Sequence, residues 1–200
     1  PSGAFTTAAG MVALTEKHLN DGFNQGLDKS NVVILGGTGP VGVASAVICA
    51  KAGANVRLVG RSMEKAEKIS AICNDRYQSK NVSPGVDADK QTYLKDADIV
   101  LNTGAAGIQL MTDDHVKSSD NLKICADTNA VPPSGIAGVD VMDSGKIMEA
   151  SPSKCRGIGA LAIGNVKYKS QHECLKLMYT SDKPVYLDFE DAFKFAQKSV

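Results

Sequence analysis

The residues best suited to directed chemistry form the run Gly36-Gly37-Thr38-Gly39-Pro40-Val41-Gly42. Gly37, Gly39 and Gly42 fill a G-x-G-x-x-G pattern. It follows a β-branched run and opens an apolar helical pattern, the context that gives this common spacing its meaning. In such a joint Gly37 permits the tight turn, Gly39 lets the backbone approach a pyrophosphate with no Cβ in the way, and Gly42 allows helix and strand to pack closely. Thr38, Pro40 and Val41 complete the loop, and the free N–H groups and positive dipole end of the helix hold the anion. A plain strand–turn–helix joint is the competing reading of these glycines.

The end of the second strand reports on which dinucleotide is taken. An acid ~20 residues after the glycines binds the ribose 2′-hydroxyl of NAD. Here the strand ends Val59-Gly60-Arg61-Ser62, with no acid between Asn55 and Met63. The planar fork of Arg61 suits a phosphate, Lys65 lies one helical turn on, and Ser62 adds a hydroxyl. This set favours the 2′-phosphate of NADP; the alternative leaves Arg61 and Lys65 as solvated charges.

Other combinations are weaker. Thr38-Gly39-Pro40-Val41-Gly42 also fits a T-G-x-x-G opening, and Tyr179 with Lys183 fits Y-x-x-x-K, as in short-chain dehydrogenases. That chemistry needs both side chains on one helix face, whereas Ser181-Asp182 reads as a turn and Pro184 disfavours a helix through Lys183. The match is read as coincidence. His18, His115 and His172 have no partners at ligand spacing, so they read as surface or cap residues and no metal site is expected. Cys155 has no evident companion base, and hydride transfer needs no protein nucleophile.

Positioning these residues requires alternating strands and helices, hence a parallel sheet. Strands are expected at Asn31–Leu35, Val56–Val59, Asp98–Asn102 and Leu122–Ala126, with a short one at Val82–Val86 that contains Pro84 and Gly85. Helices are expected at Val41–Ala52, after a Ser62 cap, at Lys90–Lys95, at Val166–Tyr179, and at Asp188–Lys198 with Asp188 as N-cap. The first ~20 residues also read as a helix, with Thr6 or Thr7 as its cap.

The composition excludes several classes. Lys+Arg and Asp+Glu are both 22, so the formal net charge of zero argues against a bulk nucleic-acid binder. Apolar residues are 43% and aromatics 5% with no Trp, an ordinary globular balance. No run approaches the ~18 apolar residues of a membrane span, and Glu16, Lys17 and His18 interrupt any secretory pattern. Five cysteines without a C-x-x-C read as reduced thiols of a cytoplasmic protein. The Asn81-Val82-Ser83 sequon reads as a chance match. The start at Pro1, without Met, fits either methionine removal or truncation of a longer protein.

Several segments together resemble the NADP-dependent methylenetetrahydromethanopterin dehydrogenases of one-carbon metabolism, which also act in part on methylenetetrahydrofolate. They are Thr6-Thr7-Ala8-Ala9-Gly10, Gly37–Gly42, Gly60-Arg61, Ala126-Asp127-Thr128-Asn129-Ala130 with Pro132-Pro133, and Ile158–Gly164 leading into Lys167-Tyr168-Lys169. Their order and approximate spacing fit along the whole chain. The resemblance implies an NADP-binding, Rossmann-type doubly wound α/β domain with flanking N- and C-terminal helices, and a pterin docked beside the nicotinamide. It places Lys167 at the substrate site as the catalytic candidate, with Thr6 and Thr7 at the cleft. Thr103, Gly104, Ala105, Asn129, Gly159 and Ala160 join Gly60 and the loop as candidate cofactor contacts. The expected organisation is a cleft helix over 1–28, the NADP domain over 29–165 and C-terminal helices over 166–200. Family members carry a further N-terminal portion that builds most of the pterin domain. The two functional expectations are a dehydrogenase oxidising a methylene-pterin to the methenyl form, in a homo-oligomer after the family's habit, and a non-catalytic NADP(H)-binding module.

Overall fold

Continuous apolar runs predict strands buried on both faces, and a seven-stranded sheet forms around them. The computed structural model describes residues 3–200; Pro1, where the chain start was read, and Ser2 lie outside the described residues. The strands are β1 (Asn31–Leu35), β2 (Asn55–Gly60), β3 (Val82–Val86), β4 (Ile99–Asn102), β5 (Ile124–Asp127), β6 (Ser144–Ile147) and β7 (Arg156–Ile158), in the order β3-β2-β1-β4-β5-β7-β6. All neighbours are parallel except β6 and β7. Pro84 is accommodated because β3 is the sheet edge, where one missing N–H costs no ladder bond.

The helices are α1 (Ala4–Phe23), α2 (Pro40–Lys51), α3 (Met63–Tyr77), α4 (Lys90–Lys95), α5 (Asp113–Lys117), α6 (Ala160–Thr180) and α7 (Phe189–Gln197). Alternation along the strands sends side chains into two cores. Val32, Ile34, Val56 and Leu58 join a large core with α1, α2, α3, α6 and α7. Val33, Leu35 and Val59 join a smaller one with Leu94 of α4 and Val116 of α5. Ser62 caps α3, accepting from the Lys65 N–H, and Asp188 caps α7, accepting from the N–H groups of Glu190 and Asp191.

Three expectations change. The N-cap of α1 is Gly3, and Thr6 and Thr7 lie inside the first turn with their hydroxyls donating to the Gly3 carbonyl. α6 begins at Ala160 and runs through Gly164, so the division expected at 165/166 falls inside one helix. His18 is buried rather than at the surface, within 3.3 Å of the Ser144 hydroxyl. His115 is a cap residue, accepting from the Thr112 N–H.

Candidate functional site

The chain passes from β1 outward to β2 and β3, then returns past β1 to β4. Loops leaving the C-terminal ends of β1 and β4 therefore diverge to opposite sides, opening the crevice where open α/β sheets bind ligands. The glycine run lies at this point. Gly36 makes the turn, with φ +67° in the left-handed region. A Cβ on Gly36 would stand 2.6 Å from Gly104 Cα, so the two diverging loops touch backbone to backbone. The turn role expected of Gly37 thus belongs to Gly36. Gly37 is required for packing: a Cβ there would lie 2.9 Å from both the Ile34 carbonyl oxygen and Leu58 Cγ. A Cβ on Gly42 would lie 2.5 Å from Gly37 Cα, so α2 is seated on the turn itself.

Gly39 is different. It is the N-cap of α2 with ordinary extended torsions, φ −86° and ψ 170°. A Cβ there would meet nothing nearer than the Gly36 carbonyl oxygen at 3.9 Å. Protein packing does not require this glycine; it leaves open the space an anion would take against the helix N-terminus. Pro40 occupies the first position of α2, where its missing N–H is harmless.

Gly60 closes β2 beneath the loop, where a Cβ would stand 2.7 Å from Thr38 Cγ2. Arg61, Ser62 and Lys65 follow at the exposed start of α3. No ion pair engages Arg61 or Lys65 among the described residues, so both cations remain available to a ligand phosphate. On the other side of β1, Thr103 donates to the Leu35 carbonyl through both its N–H (2.9 Å) and its hydroxyl (3.1 Å), tying the loop after β4 to the end of β1. Ala105 is exposed beyond it.

Two expected cofactor contacts, Asn129 and Gly159, also have structural duties. The Asn129 side chain is buried; its oxygen accepts from the N–H groups of Gly107 and Val131 and its amide donates to the Pro133 carbonyl. A Cβ on Gly159 would collide with the 140–141 backbone, 2.6 Å from the Val141 carbonyl carbon, so this glycine serves the turn beneath α6. Ala160 starts that helix beside it.

Lys167 is half-buried on α6. Gly10 lets α1 and α6 approach closely, since a Cβ there would lie 3.0 Å from the Ile163 carbonyl oxygen and the Lys167 N. That approach sets the Lys167 amine against the first turn of α1, where a Cβ on Gly3 would be 3.2 Å from Nζ. Phe5 of the same turn lines a pocket of about 300 Å³ with Thr38, Gly39 and Pro40. The first turn of α1 therefore lies against Lys167 and faces the glycine loop across this pocket. Tyr179 and Lys183 do not share a helix: α6 ends at Thr180 and Tyr179 is exposed. The turn role of Gly36 was not legible from the glycine spacing; the one local signal was that Gly36 abuts the motif.

Taken with the strand order, the glycine turn at the β1–β4 divergence defines a Rossmann-type dinucleotide-binding fold. Its likeness to quinate dehydrogenase from Corynebacterium glutamicum in complex with NAD concerns the fold: 13% identity, TM-score 0.55, over 94% of this chain and 62% of that one. In sequence, the chain is 39% identical over 98% of its length to an NAD(P)-dependent methylenetetrahydromethanopterin dehydrogenase of Methylorubrum extorquens. It is 35% identical over 98% of its length to the Bifunctional protein MdtA of the same organism. The chain belongs to this NAD(P)-dependent methylenetetrahydromethanopterin dehydrogenase family and spans 66% of the length of each of these relatives. No protein-family model matches it.

Proposed function

We propose that the chain is the NADP-binding portion of an oxidoreductase of one-carbon metabolism. It moves a hydride from a methylene-tetrahydropterin, either methylenetetrahydromethanopterin or methylenetetrahydrofolate, to NADP and leaves the methenyl form. The observation that carries this reading is the β1–β4 crevice itself, where Gly39 faces open space beside a helix N-terminus and Arg61 and Lys65 stand unpaired at the next strand end. When bound, the dinucleotide supplies the hydride acceptor. The chain's own residues hold and orient it. The loop N–H groups take the pyrophosphate, and Arg61, Ser62 and Lys65 take the 2′-phosphate. Thr103, Gly104 and Ala105 form the wall beyond β4.

The pterin becomes a cation on losing hydride, so a nearby ammonium cannot help by charge. Lys167 instead positions the substrate by donating to a pterin carbonyl or to a carboxylate that holds the ring, with Thr6 and Thr7 beside it. Family membership and the name of one relative, which carries methylenetetrahydromethanopterin, support the pterin assignment. The same reading gives a cytoplasmic homo-oligomer.

Calorimetric titration with NADP and NAD, then a hydride-transfer assay on the longest native form with each pterin, tests this proposal. Tighter NADP binding with turnover supports it. NADP binding without turnover on either pterin leaves the non-catalytic NADP(H)-binding module as the reading. No binding of either nucleotide refutes both.

A further inference from the structure

Asn102 and Asp127 end the adjacent strands β4 and β5 in register with one another, and both are buried. Asn102 Nδ2 donates to Asp127 Oδ1 at 2.7 Å. The same oxygen accepts from the Asn129 N–H at 2.9 Å, and Asp127 Oδ2 accepts from the Ile136 N–H at 3.0 Å. Asn102 Oδ1 accepts from the Gly104 N–H at 3.1 Å, and its main-chain carbonyl accepts from the Thr128 N–H and hydroxyl. Gly135 crosses directly above: a Cβ there would fall on Asn102 Nδ2 and lie 2.8 Å from Asp127 Oδ1. The loops leaving β4 and β5 are thus fastened to each other through one carboxylate. Gly104, at the near end of this lattice, packs against Gly36 and ties it to the phosphate loop.

We infer that Asp127, acting through Asn102, is the positioning residue for the nicotinamide half of the cofactor site; this rests on the dinucleotide reading above. The reason lies in the strand order. Arg61 and Lys65 follow β2, on one side of β1, whereas these two loops follow β4 and β5, on the other. A dinucleotide whose pyrophosphate rests on the glycine loop and whose 2′-phosphate meets Arg61 lays its other end over the loops that Asp127 joins. Asp127 is buried and so sets the wall of that half through its hydrogen bonds.

The arrangement is demanding. An ionised carboxylate has only acceptors, and here both oxygens face N–H groups. An asparagine in its place must turn its own NH2 toward the Ile136 N–H or toward the Asn102 and Asn129 donors, so no rotamer satisfies the site. The lattice then loosens while β1, β2 and the cations beyond them are untouched.

The test compares wild type, Asp127→Asn and Asn102→Ser in binding 2′,5′-ADP, which carries the adenine half alone, and NADPH, whose dihydronicotinamide fluorescence rises when the ring is held out of water. The expected result is 2′,5′-ADP affinity within about twofold of wild type in both variants, as for sites without shared partners. NADPH affinity should fall roughly tenfold in Asp127→Asn, as for a buried donor left unpaired, with loss of the bound-state fluorescence enhancement. Asn102→Ser, which removes the amide donor to Asp127 and the acceptor of the Gly104 N–H, should show a change of the same kind; it decides by the same criterion if Asp127→Asn does not melt cooperatively. Parallel loss of both ligands, or NADPH affinity and fluorescence equal to wild type, overturns the positioning role. Failure of wild type to bind either probe overturns the dinucleotide reading, and the inference with it.

Discussion

Gly39→Ser separates what the protein needs from what its ligand needs. Gly39 has torsions that any residue adopts and sits at the N-cap of α2 without a side-chain cap. Serine is a better N-cap than glycine by a few tenths of a kcal/mol. It also removes unfolded-state freedom worth about 0.4–1 kcal/mol at a compatible position. Its Cβ meets no protein atom nearer than 3.9 Å. The free protein should therefore gain about 0.5–1.5 kcal/mol, or roughly 1–6 °C in Tm for a chain of this size. Binding should move the other way. The added atoms occupy the space assigned to the pyrophosphate. Each charge-assisted hydrogen bond from a loop N–H is worth about 1.5–3 kcal/mol, so displacing the anion lowers NADP affinity roughly ten- to a hundredfold or more. Gly42→Ala is the contrast: its Cβ would lie 2.5 Å from Gly37 Cα, so it should lower Tm and binding together. Differential scanning fluorimetry without ligand, paired with calorimetric NADP titration, reads both quantities. Wild-type affinity in Gly39→Ser would mean that the loop is a structural turn only, and a lowered Tm would mean that the space beside Gly39 is not free.

Arg61→Ala should weaken NADP by about 1.5–3 kcal/mol, roughly ten- to a hundredfold, and leave NAD nearly unchanged; equal loss for both nucleotides would remove the 2′-phosphate role. Lys167→Ala in the longest native form should keep NADP affinity and lose pterin turnover. Lys169→Ala is its control, since Lys169 is exposed and its amine donates to the Ser199 carbonyl; equal effects would deny Lys167 a special place. The stability profile should have a plateau with two shoulders. Burial first, then Arg156 and Lys17, holds the His18 pKa below its usual 6.5, and burial with Lys90 lowers that of His115. The unfolded chain then takes up protons that the folded one resists, so stability is lost as pH falls below 6.5. Burial pushes the Cys49 and Cys73 thiols up to about 12 and about 11 from 9.0, so unfolded thiols ionise first and stability is lost as pH rises above 9.0. Melting from about pH 5 to about pH 10 checks both shoulders, and His18→Gln with His115→Gln should flatten the acid one.

Local chemistry made much of this legible. The β1–glycine–α2 joint, the Ser62 and Asp188 caps and the α3 helix rest on residues close in sequence, so their types and spacing were enough. The parts not legible depend on distant partners. β7 is three residues, Arg156–Ile158, with no pattern of its own; it exists because β5 and β6 pair with it on either side. Gly164 argued for a helix starting later, yet buried Ile163 and Val166 carry α6 through it.

By itself, then, the sequence determined a glycine-rich strand–turn–helix joint, a cationic strand end without an acid, and the alternation that makes a parallel sheet. All are properties of adjacent residues. Only the tertiary structure decided that Gly36 rather than Gly37 makes the turn, because it packs against Gly104 of another strand end. It also showed Asn129 to be a brace between loops, and it revealed the Asn102–Asp127 pair, two residues separated by 25 positions that meet only when β4 and β5 lie side by side. Burial leaves such polar groups no water to turn to, so their partners, and hence their roles, are chosen by whichever backbone the fold brings against them.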